Sequence, residues 1–150
     1  MWGAATRARS ACIARRCAGG STARATKPLN RNGQGVKGLG LFVDDRISPE
    51  LGQQANEPLI IAHRASVFFG TDLQVRLSAQ GIDTLLMVGI ASTGVMLSSV
   101  AYASDADFRL FTVKDCCCDP DQVVHDHLFS TAFDSRTTVL SLAEALRLLG

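Results

Sequence analysis

The chain has 150 residues, of which 47% are apolar and 19% are charged. This length and composition fit one globular domain and exclude a mostly disordered protein. The net charge of +1 gives no overall attraction to nucleic acid, and no apolar run reaches the roughly 20 residues that a membrane-spanning helix needs. Three of the five cysteines are adjacent and cannot form a regular disulfide framework, so we expect a reducing compartment, the cytoplasm.

The first 27 residues differ in composition from the rest. Residues 1–40 contain eight Lys and Arg but no Asp or Glu, and residues 1–27 are rich in Arg, Ala and Ser. A mitochondrial transit peptide has this composition, and a disordered segment or a wrongly assigned start is the alternative. A nucleic-acid-binding arm is disfavoured because no aromatic side chain is interleaved with the arginines.

The elements of the first half begin after a loop-rich segment. Residues 28–58 hold five glycines and three prolines, which favours loops with one short strand at Gly40–Val43. The apolar run Leu59–His63 predicts a buried strand. Thr71 and Gln74 have the spacing of a capping box, which predicts a helix that ends near Gly81.

The second half alternates strands and helices more regularly. Strands are predicted at Thr84–Gly89, Phe108–Val113 and Thr137–Leu140. A helix rich in small residues should follow the first of these strands. Asp119 before Pro120 indicates the N-cap of the next helix, and the spacing of Ser141 and Glu144 predicts a capping box for the last one.

This order of elements predicts an α/β fold, a three-layer Rossmann-like sandwich with a mainly parallel sheet. Ligands of such sheets bind beyond the carboxyl ends of the strands. The candidate pocket is therefore built from the segments that follow three strands, His63–Ser66, Gly89–Val95 and Asp115–Cys118.

Several motifs between residues 63 and 129 resemble the isochorismatase-like hydrolase family, which includes nicotinamidases. They are FFGTDL, GIDTLLMVGIAS and ASDADF, in that order. The resemblance is weak across 28–58 and absent from 1–27. It divides the chain into residues 1–27, a disordered or targeting-like terminus, and 28–150, a partial domain best matched over 59–150. It implies that the usual first strand, which ends in a catalytic Asp, is missing or altered.

The resemblance also implies where chemistry would occur. Family amidases use a Cys nucleophile, an Asp that shuttles its proton and a Lys. Val95 occupies the Cys position and Ala62 the Lys position. The oxyanion would be held by the amides of Ala91 and Val95 after a cis peptide between Ile90 and Ala91. LGLFVDDR resembles a strand ending in Asp, but it lies too close to Ala62 for the family's connection.

Other chemistry-bearing residues are weaker candidates. Cys116 or Cys117 could replace the missing nucleophile, although a buried apolar role is the preferred interpretation. His125 and His127 lie about 200° apart around a predicted helix, so they cannot share a metal ion, and neither a metal nor a cofactor is expected. We expect Ser92 and Thr93 to satisfy amides at a helix start, with no base beside them. The expected pocket residues are His63, Arg64, Ile90, Ser92, Thr93 and Asp115.

Two functional hypotheses remain open. The first is a hydrolase of small C–N or ether-linked substrates with impaired or lost cysteine-amidase activity. Members of the family that cleave isochorismate also lack the Cys, but they keep the Asp. The alternative is an inactive relative that serves as a binding or oligomerisation subunit, or a truncated gene product. The partners expected are a small-molecule ligand and further copies of the chain, without nucleic acid or membrane.

Overall fold

The computed structural model describes residues 49–52 and 54–150, together with 13–16 and the isolated positions 29, 31 and 34. The strands are β1 (Ile13–Arg16), β2 (Leu59–Ala62), β3 (Thr84–Ile90), β4 (Arg109–Cys118) and β5 (Thr138–Leu140). The helices are α1 (Leu73–Ala79), α2 (Leu97–Asp105), α3 (Gln122–Leu128) and α4 (Leu142–Leu149). A π turn, Ser92–Met96, leads into α2, another, Phe129–Phe133, follows α3, and a 3-10 turn spans Pro49–Leu51.

The described strands form two parallel sheets. β1 pairs with β2, and β4 lies between β3 and β5 in a three-stranded sheet. The α/β class with parallel strands and intervening helices is therefore confirmed. The strand at 13–16 was not predicted, because IARR in an Arg-rich segment lacks the apolar run that marks a buried strand. The strand predicted at Gly40–Val43 lies outside the described residues.

One buried cluster joins the two sheets to the helices on one face. Ile60 of β2 belongs to it, and Leu85 and Met87 of β3 pack against it. The small residues of α2 let this helix approach the sheet, and Phe68 stacks on Tyr102 with ring centroids 4.9 Å apart. The fully buried members are Ile60, Met96, Val100, Ala103 and Phe133.

The last helix, α4, covers two strands, β4 and β5, on the other face of the three-stranded sheet. The backbone N–H of Leu142 donates to Asp115 Oδ2 at 2.8 Å, which ties the first turn of α4 to β4. The capping box predicted at Ser141 and Glu144 is confirmed, with both reciprocal hydrogen bonds present.

Two predicted helix starts are wrong. Asp72, not Thr71, is the N-cap of α1, and the predicted bond between the Thr71 hydroxyl and the Gln74 amide is replaced by one from the Leu73 amide at 3.4 Å, while the hydroxyl donates to the Val67 carbonyl at 2.7 Å. Asp121, not Asp119, caps α3 and accepts from two amides of its first turn. The strand predicted at Phe108–Val113 also ends too early, because β4 continues through the three cysteines to Cys118.

The described part of the N-terminal segment is limited to β1. The proposed boundary at residues 27 and 28 stays a prediction, since neither residue is described. No helix within the described part of the chain is long and apolar enough to cross a membrane.

Candidate functional site

The turn between β3 and α2 is the candidate site. The peptide bond between Ile90 and Ala91 is cis, as the family resemblance implies. Gly89 precedes it with a φ of +152°, a conformation that side chains rarely allow. The amides of Gly94 and Met96 both donate to the Ala91 carbonyl, at 3.1 and 3.2 Å, so the turn closes on itself around one backbone oxygen.

A buried serine and histidine fasten this turn to α3. Ser92 is 0% exposed, and its Oγ lies 2.8 Å from Nδ1 of the buried His125. The same hydroxyl is 3.3 Å from the carbonyl oxygen of Cys118. A hydroxyl has one proton, so it either donates to this carbonyl and accepts from the ring, or donates to the ring. The expectation that no base lies beside Ser92 is therefore wrong.

The imidazole of His125 is itself held in place by packing. The centroid of its ring lies 4.7 Å from that of Phe129. The Phe129 ring in turn contacts Phe133 edge-on, with 4.7 Å between the two centroids. Because both Ser92 and His125 are buried, substrate cannot reach the hydroxyl in this arrangement. The pair therefore functions as a structural clamp on the turn and not as an accessible nucleophile and base.

A carboxylate holds the exposed side of the same turn. Thr93 donates to Asp119 Oδ2 twice, from its backbone N–H at 2.8 Å and from its hydroxyl at 2.7 Å. Partial burial alone would raise the pKa of Asp119. This effect of burial is outweighed by the hydrogen bonds from Thr93, by another from the Asp121 amide and by the nearby His125. Together they hold the pKa of Asp119 below its ordinary value. Asp119 is thus an anionic anchor for the turn.

The positions equated with the family's reactive residues carry hydrocarbon side chains. Val95 is half-buried in the π turn, and Ala62 is buried at the end of β2. Neither can attack a carbonyl, carry a proton or supply a charge. The loop after β2 is attached to α2 because the amide of Val67 donates to the buried Ser99 hydroxyl at 3.1 Å.

The three cysteines differ in their surroundings. Cys117 is buried, Cys116 is half-buried and Cys118 is exposed, and all three are free thiols. Burial raises the pKa of Cys117 to about 11, against a smaller opposing effect from a hydrogen bond to Gly89. Cys118 lies opposite Ile90 in the β3–β4 register, which places it beside the cis peptide. Of the three thiols, Cys118 is the one that is both exposed and next to the turn.

The ammonium group that could have activated these thiols is already paired. Lys114 Nζ lies 2.7 Å from Asp126 Oδ1. This hydrogen bond is the first cause of the lowered pKa of Asp126.

The remaining predicted pocket residues have local partners. His63 is exposed, and Arg64 Nη1 donates to its carbonyl oxygen at 2.8 Å, which agrees with a role at the strand end. Asp115 binds the first amide of α4 and not the turn. His125 is buried and His127 is exposed, so they face different sides of α3 as their spacing predicts. In the described ranges, no three His, Cys, Asp or Glu side chains are arranged to hold a metal ion.

Comparison with known proteins agrees with the fold. A family model described as the isochorismatase domain matches residues 16–144. The chain belongs to the isochorismatase domain family. This match begins within β1 and includes 28–58, where the resemblance of the sequence is weak.

Curated relatives agree with this assignment, and solved structures share the fold. The chain is 34% identical over 73 residues to maleamate amidohydrolase of Pseudomonas putida, covering 49% of this chain and 34% of that enzyme. The matches span only between 34% and 53% of the length of the first curated relatives. A cysteine hydrolase from Pseudomonas syringae pv. phaseolicola shares the fold with a TM-score of 0.75 and 18% identity, over 91% of this chain and 70% of that one. An isochorismatase family protein from Burkholderia thailandensis does so with a TM-score of 0.69 and 24% identity, over 71% and 58%.

The sequence did not identify His125 and Asp119 as parts of the site. His125 was considered only as a metal ligand and rejected, and Asp119 was predicted to be an N-cap. The available signal was positional, since both follow the strand whose carboxyl end borders the turn.

Proposed function

We propose that this member of the isochorismatase family binds a small molecule at the turn of residues 90–95 and does not hydrolyse amides through a thioester. The observation that carries the proposal is Val95, a hydrocarbon in the half-buried position that resemblance equates with the nucleophilic Cys. A thioester needs a sulfur at the carbonyl carbon, and a valine side chain cannot supply one.

The other nucleophiles near the turn support this proposal. The hydroxyl of Ser92 is buried and bound to His125 and Cys118. The Thr93 hydroxyl donates its hydrogen bond to Asp119. Cys117 remains a thiol near neutral pH because its pKa is raised to about 11.

Ether cleavage without a nucleophile finds no proton donor among the carboxyl groups whose pKa is shifted. It needs a carboxylic acid that keeps its proton near neutral pH, which requires a raised pKa. Within the described ranges, the carboxyl groups with a resolved shift are Asp119, Asp126 and Glu144, and all three pKa values are lowered. These carboxyl groups are therefore unsuited to protonate a substrate.

One observation favours a second candidate, a hydrolase with a relocated nucleophile. Cys118 is exposed and lies opposite Ile90, beside the cis peptide. A thiolate at this position would approach the turn from the neighbouring strand. Cys116, on the same strand, is the weaker alternative because it is only half-exposed.

An amide-hydrolysis assay separates the two candidates. The purified full chain would be tested with maleamate, nicotinamide and simple amides, with and without iodoacetamide. We expect no thiol-dependent release of ammonia from any of them. Turnover abolished by iodoacetamide and by Cys118→Ser, but not by the matched Cys117→Ser, would refute the proposal in favour of the relocated nucleophile.

Ligand binding would be tested directly by titrating the 15N-labelled chain with maleamate, its diamide and nicotinamide. We expect saturable amide shifts for residues 91–95 that Val95→Asp diminishes by crowding the turn with charge. A matched Val123→Asp change on exposed α3 should leave them unaltered. If none of these compounds produces saturable shifts at the turn, the binding proposal is wrong for this ligand class.

We also propose that the chain self-associates and acts in the cytoplasm, with the mitochondrion as the alternative site. Free adjacent cysteines support a reducing compartment, and the acid-free segment 1–27 supports import. A fluorescent protein fused at the carboxyl end distinguishes them, because removing residues 1–27 would abolish mitochondrial but not cytoplasmic location.

A further inference from the structure

Two cysteines near the end of β4 lie on one face of the strand. Cys116 and Cys118 are two positions apart, and successive side chains of a strand point to opposite faces, so both point the same way. Cys117, between them, belongs to the buried core cluster. The burial agrees with this alternation, since Cys116 is half-buried, Cys117 is buried and Cys118 is exposed, and all three are free thiols. We call Cys116 and Cys118 the thiol pair.

The thiol pair lies beyond the end of β5. Pairing of β4 with β5 ends at Val113 and Leu140, whereas pairing of β4 with β3 continues to Cys118, which lies opposite Ile90. Among the described strands, β3 alone therefore borders the thiol pair. The described strands leave room for an ion to approach the two sulfurs from the other edge of β4.

The separation of the pair fits a bridging ion better than a disulfide. Same-face neighbours along an extended strand are about 6.6 Å apart, whereas a disulfide needs Cβ atoms about 3.5–4.5 Å apart. An ion lengthens the bridge, because two thiolate–metal bonds of about 2.3 Å hold their sulfurs about 4.6 Å apart when they lie in a line. The remaining difference of about 2 Å closes when the two Cβ–Sγ bonds lean towards each other.

The oxygen donors beside the thiol pair are already engaged. Asp115 accepts from the Leu142 amide at 2.8 Å, and Asp119 accepts from the amide and hydroxyl of Thr93. Across the described residues, no three His, Cys, Asp or Glu side chains are grouped to hold a metal ion. A structural Zn²⁺ site takes four ligands, so two sulfurs are too few for it. Thiolates favour soft ions, of which Cu(I) is served by two sulfurs.

We propose that the thiol pair binds one soft monovalent metal ion, Cu(I), between the sulfurs of Cys116 and Cys118. Each thiol loses its proton as its sulfur bonds to the ion, so two protons are released for each ion bound. Copper stays in the monovalent state and no electron is transferred, so the step needs neither an oxidant nor a reductant. This inference does not rest on the proposed function, because it concerns the sulfurs of β4 and no ligand of the turn.

Copper at the thiol pair should be detectable at the candidate site. The carbonyl oxygen of Cys118 lies 3.3 Å from the Ser92 hydroxyl, and Cys118 lies opposite Ile90. An ion held by Cys118 is therefore next to the turn. We expect Cu(I), which is diamagnetic, to shift the amide signals of residues 91–95 in the 15N-labelled chain.

Competition for copper tests the proposal in the full chain. Cys12 and Cys17 lie outside the described residues, so both are first changed to Ser to remove their thiols from the measurement. The reduced protein is mixed under nitrogen with the coloured Cu(I) complex of bicinchoninate, and the loss of absorbance measures the copper transferred. We expect the chain to take up a single copper ion, and to retain no Zn²⁺ after gel filtration.

Single substitutions test the two ligands. Cys116→Ser and Cys118→Ser should each weaken Cu(I) binding by roughly 100-fold, because each removes one of two tethered ligands. Cys117→Ala is the matched control, since it also removes a thiol but on the opposite face, and it should still take up a single ion. Circular dichroism would establish that each variant is folded. If Cys117→Ala does not fold, mass spectrometry of iodoacetamide-labelled peptides replaces it, with copper protecting Cys116 and Cys118 together.

Four outcomes would overturn the proposal. A chain that takes no copper from bicinchoninate would show that the thiol pair is not a site. Full affinity in either single serine variant would mean that one exposed thiol suffices. Equal weakening in folded Cys117→Ala would show that binding is not specific to the outer face of β4. Retention of Zn²⁺ would require more donors than the pair supplies. None of these results depends on the amide-hydrolysis assay or on the titration with maleamate.

Discussion

The hydrogen bond between Ser92 and His125 predicts an energetic coupling that a double-mutant cycle can measure. Ser92→Ala removes the hydroxyl and leaves Nδ1 of a buried imidazole without its 2.8 Å partner. His125→Leu leaves the hydroxyl with only the longer contact to Cys118, at 3.3 Å. Leaving a buried polar group unsatisfied costs about 1–3 kcal/mol, so each single variant should lose about this much unfolding free energy.

The double variant should lose less than the sum of the two losses. Once one partner is gone, removing the other eliminates an unsatisfied group and costs little more beyond the ring contact with Phe129. We expect a coupling of about 1–2 kcal/mol. Urea unfolding followed by circular dichroism gives the four free energies, provided that the slope with urea is the same in all four proteins.

The control cycle pairs Ser92→Ala with Ser130→Ala. Ser130 is exposed and its hydroxyl donates locally to the His127 carbonyl, so these changes should add within about 0.5 kcal/mol. A coupling between Ser92 and His125 no larger than this control would refute the clamp and would mean that the hydroxyl and the ring do not depend on each other.

Three further predictions follow from the other contacts. Asp119 has a lowered pKa in the folded state, so it stabilises the fold above its ordinary pKa and loses that contribution as the pH falls through the folded value. Asp119→Asn should therefore make the urea midpoint fall less steeply below about pH 4, and an unchanged slope would contradict the anchor. Iodoacetamide at pH 8 should modify the exposed Cys118 before the buried Cys117, as located by fragmentation of the labelled peptide, and the reverse order would contradict the difference in environment. Ser141→Ala should cost about 1 kcal/mol in urea unfolding by removing the cap of α4, whereas a change below about 0.3 kcal/mol would show that the cap is dispensable.

Local patterns predicted much of the fold. The apolar runs at Leu59 and Thr84 became β2 and β3, because a short apolar segment is enough to predict a strand. Their predicted burial is wrong, since alternate residues of both strands are exposed. The capping box at Ser141 was predicted correctly because both of its partners lie within one helical turn. Where the interacting groups were close in sequence, the sequence was sufficient.

The failed predictions involve competition from partners outside the motif. Thr71 has the spacing of a capping box, but its hydroxyl donates to the carbonyl of Val67 and accepts from the amide of Leu73 rather than from that of Gln74. Asp119 resembles an N-cap, but its carboxylate binds Thr93, 26 residues earlier in the chain. A cap motif shows which hydrogen bonds a side chain could form. The tertiary structure determines which of the possible partners it actually binds.

The contacts that fix the backbone of the turn are separate from the side chain at residue 95. The turn is fixed through Ser92 by His125 and through Thr93 by Asp119, and none of these contacts involves Val95. A side chain at residue 95 can therefore change from a thiol to a hydrocarbon without altering the bonds that shape the backbone. Val95→Cys is close to isosteric and should cost less than about 1.5 kcal/mol. A folded Val95→Cys protein that gains a reactive thiol but no amide hydrolysis would show that the turn alone is insufficient. Because Ala62, which the resemblance equates with the family's Lys, carries no charge, we expect the new thiol to lack the neighbouring charge that helps amide attack.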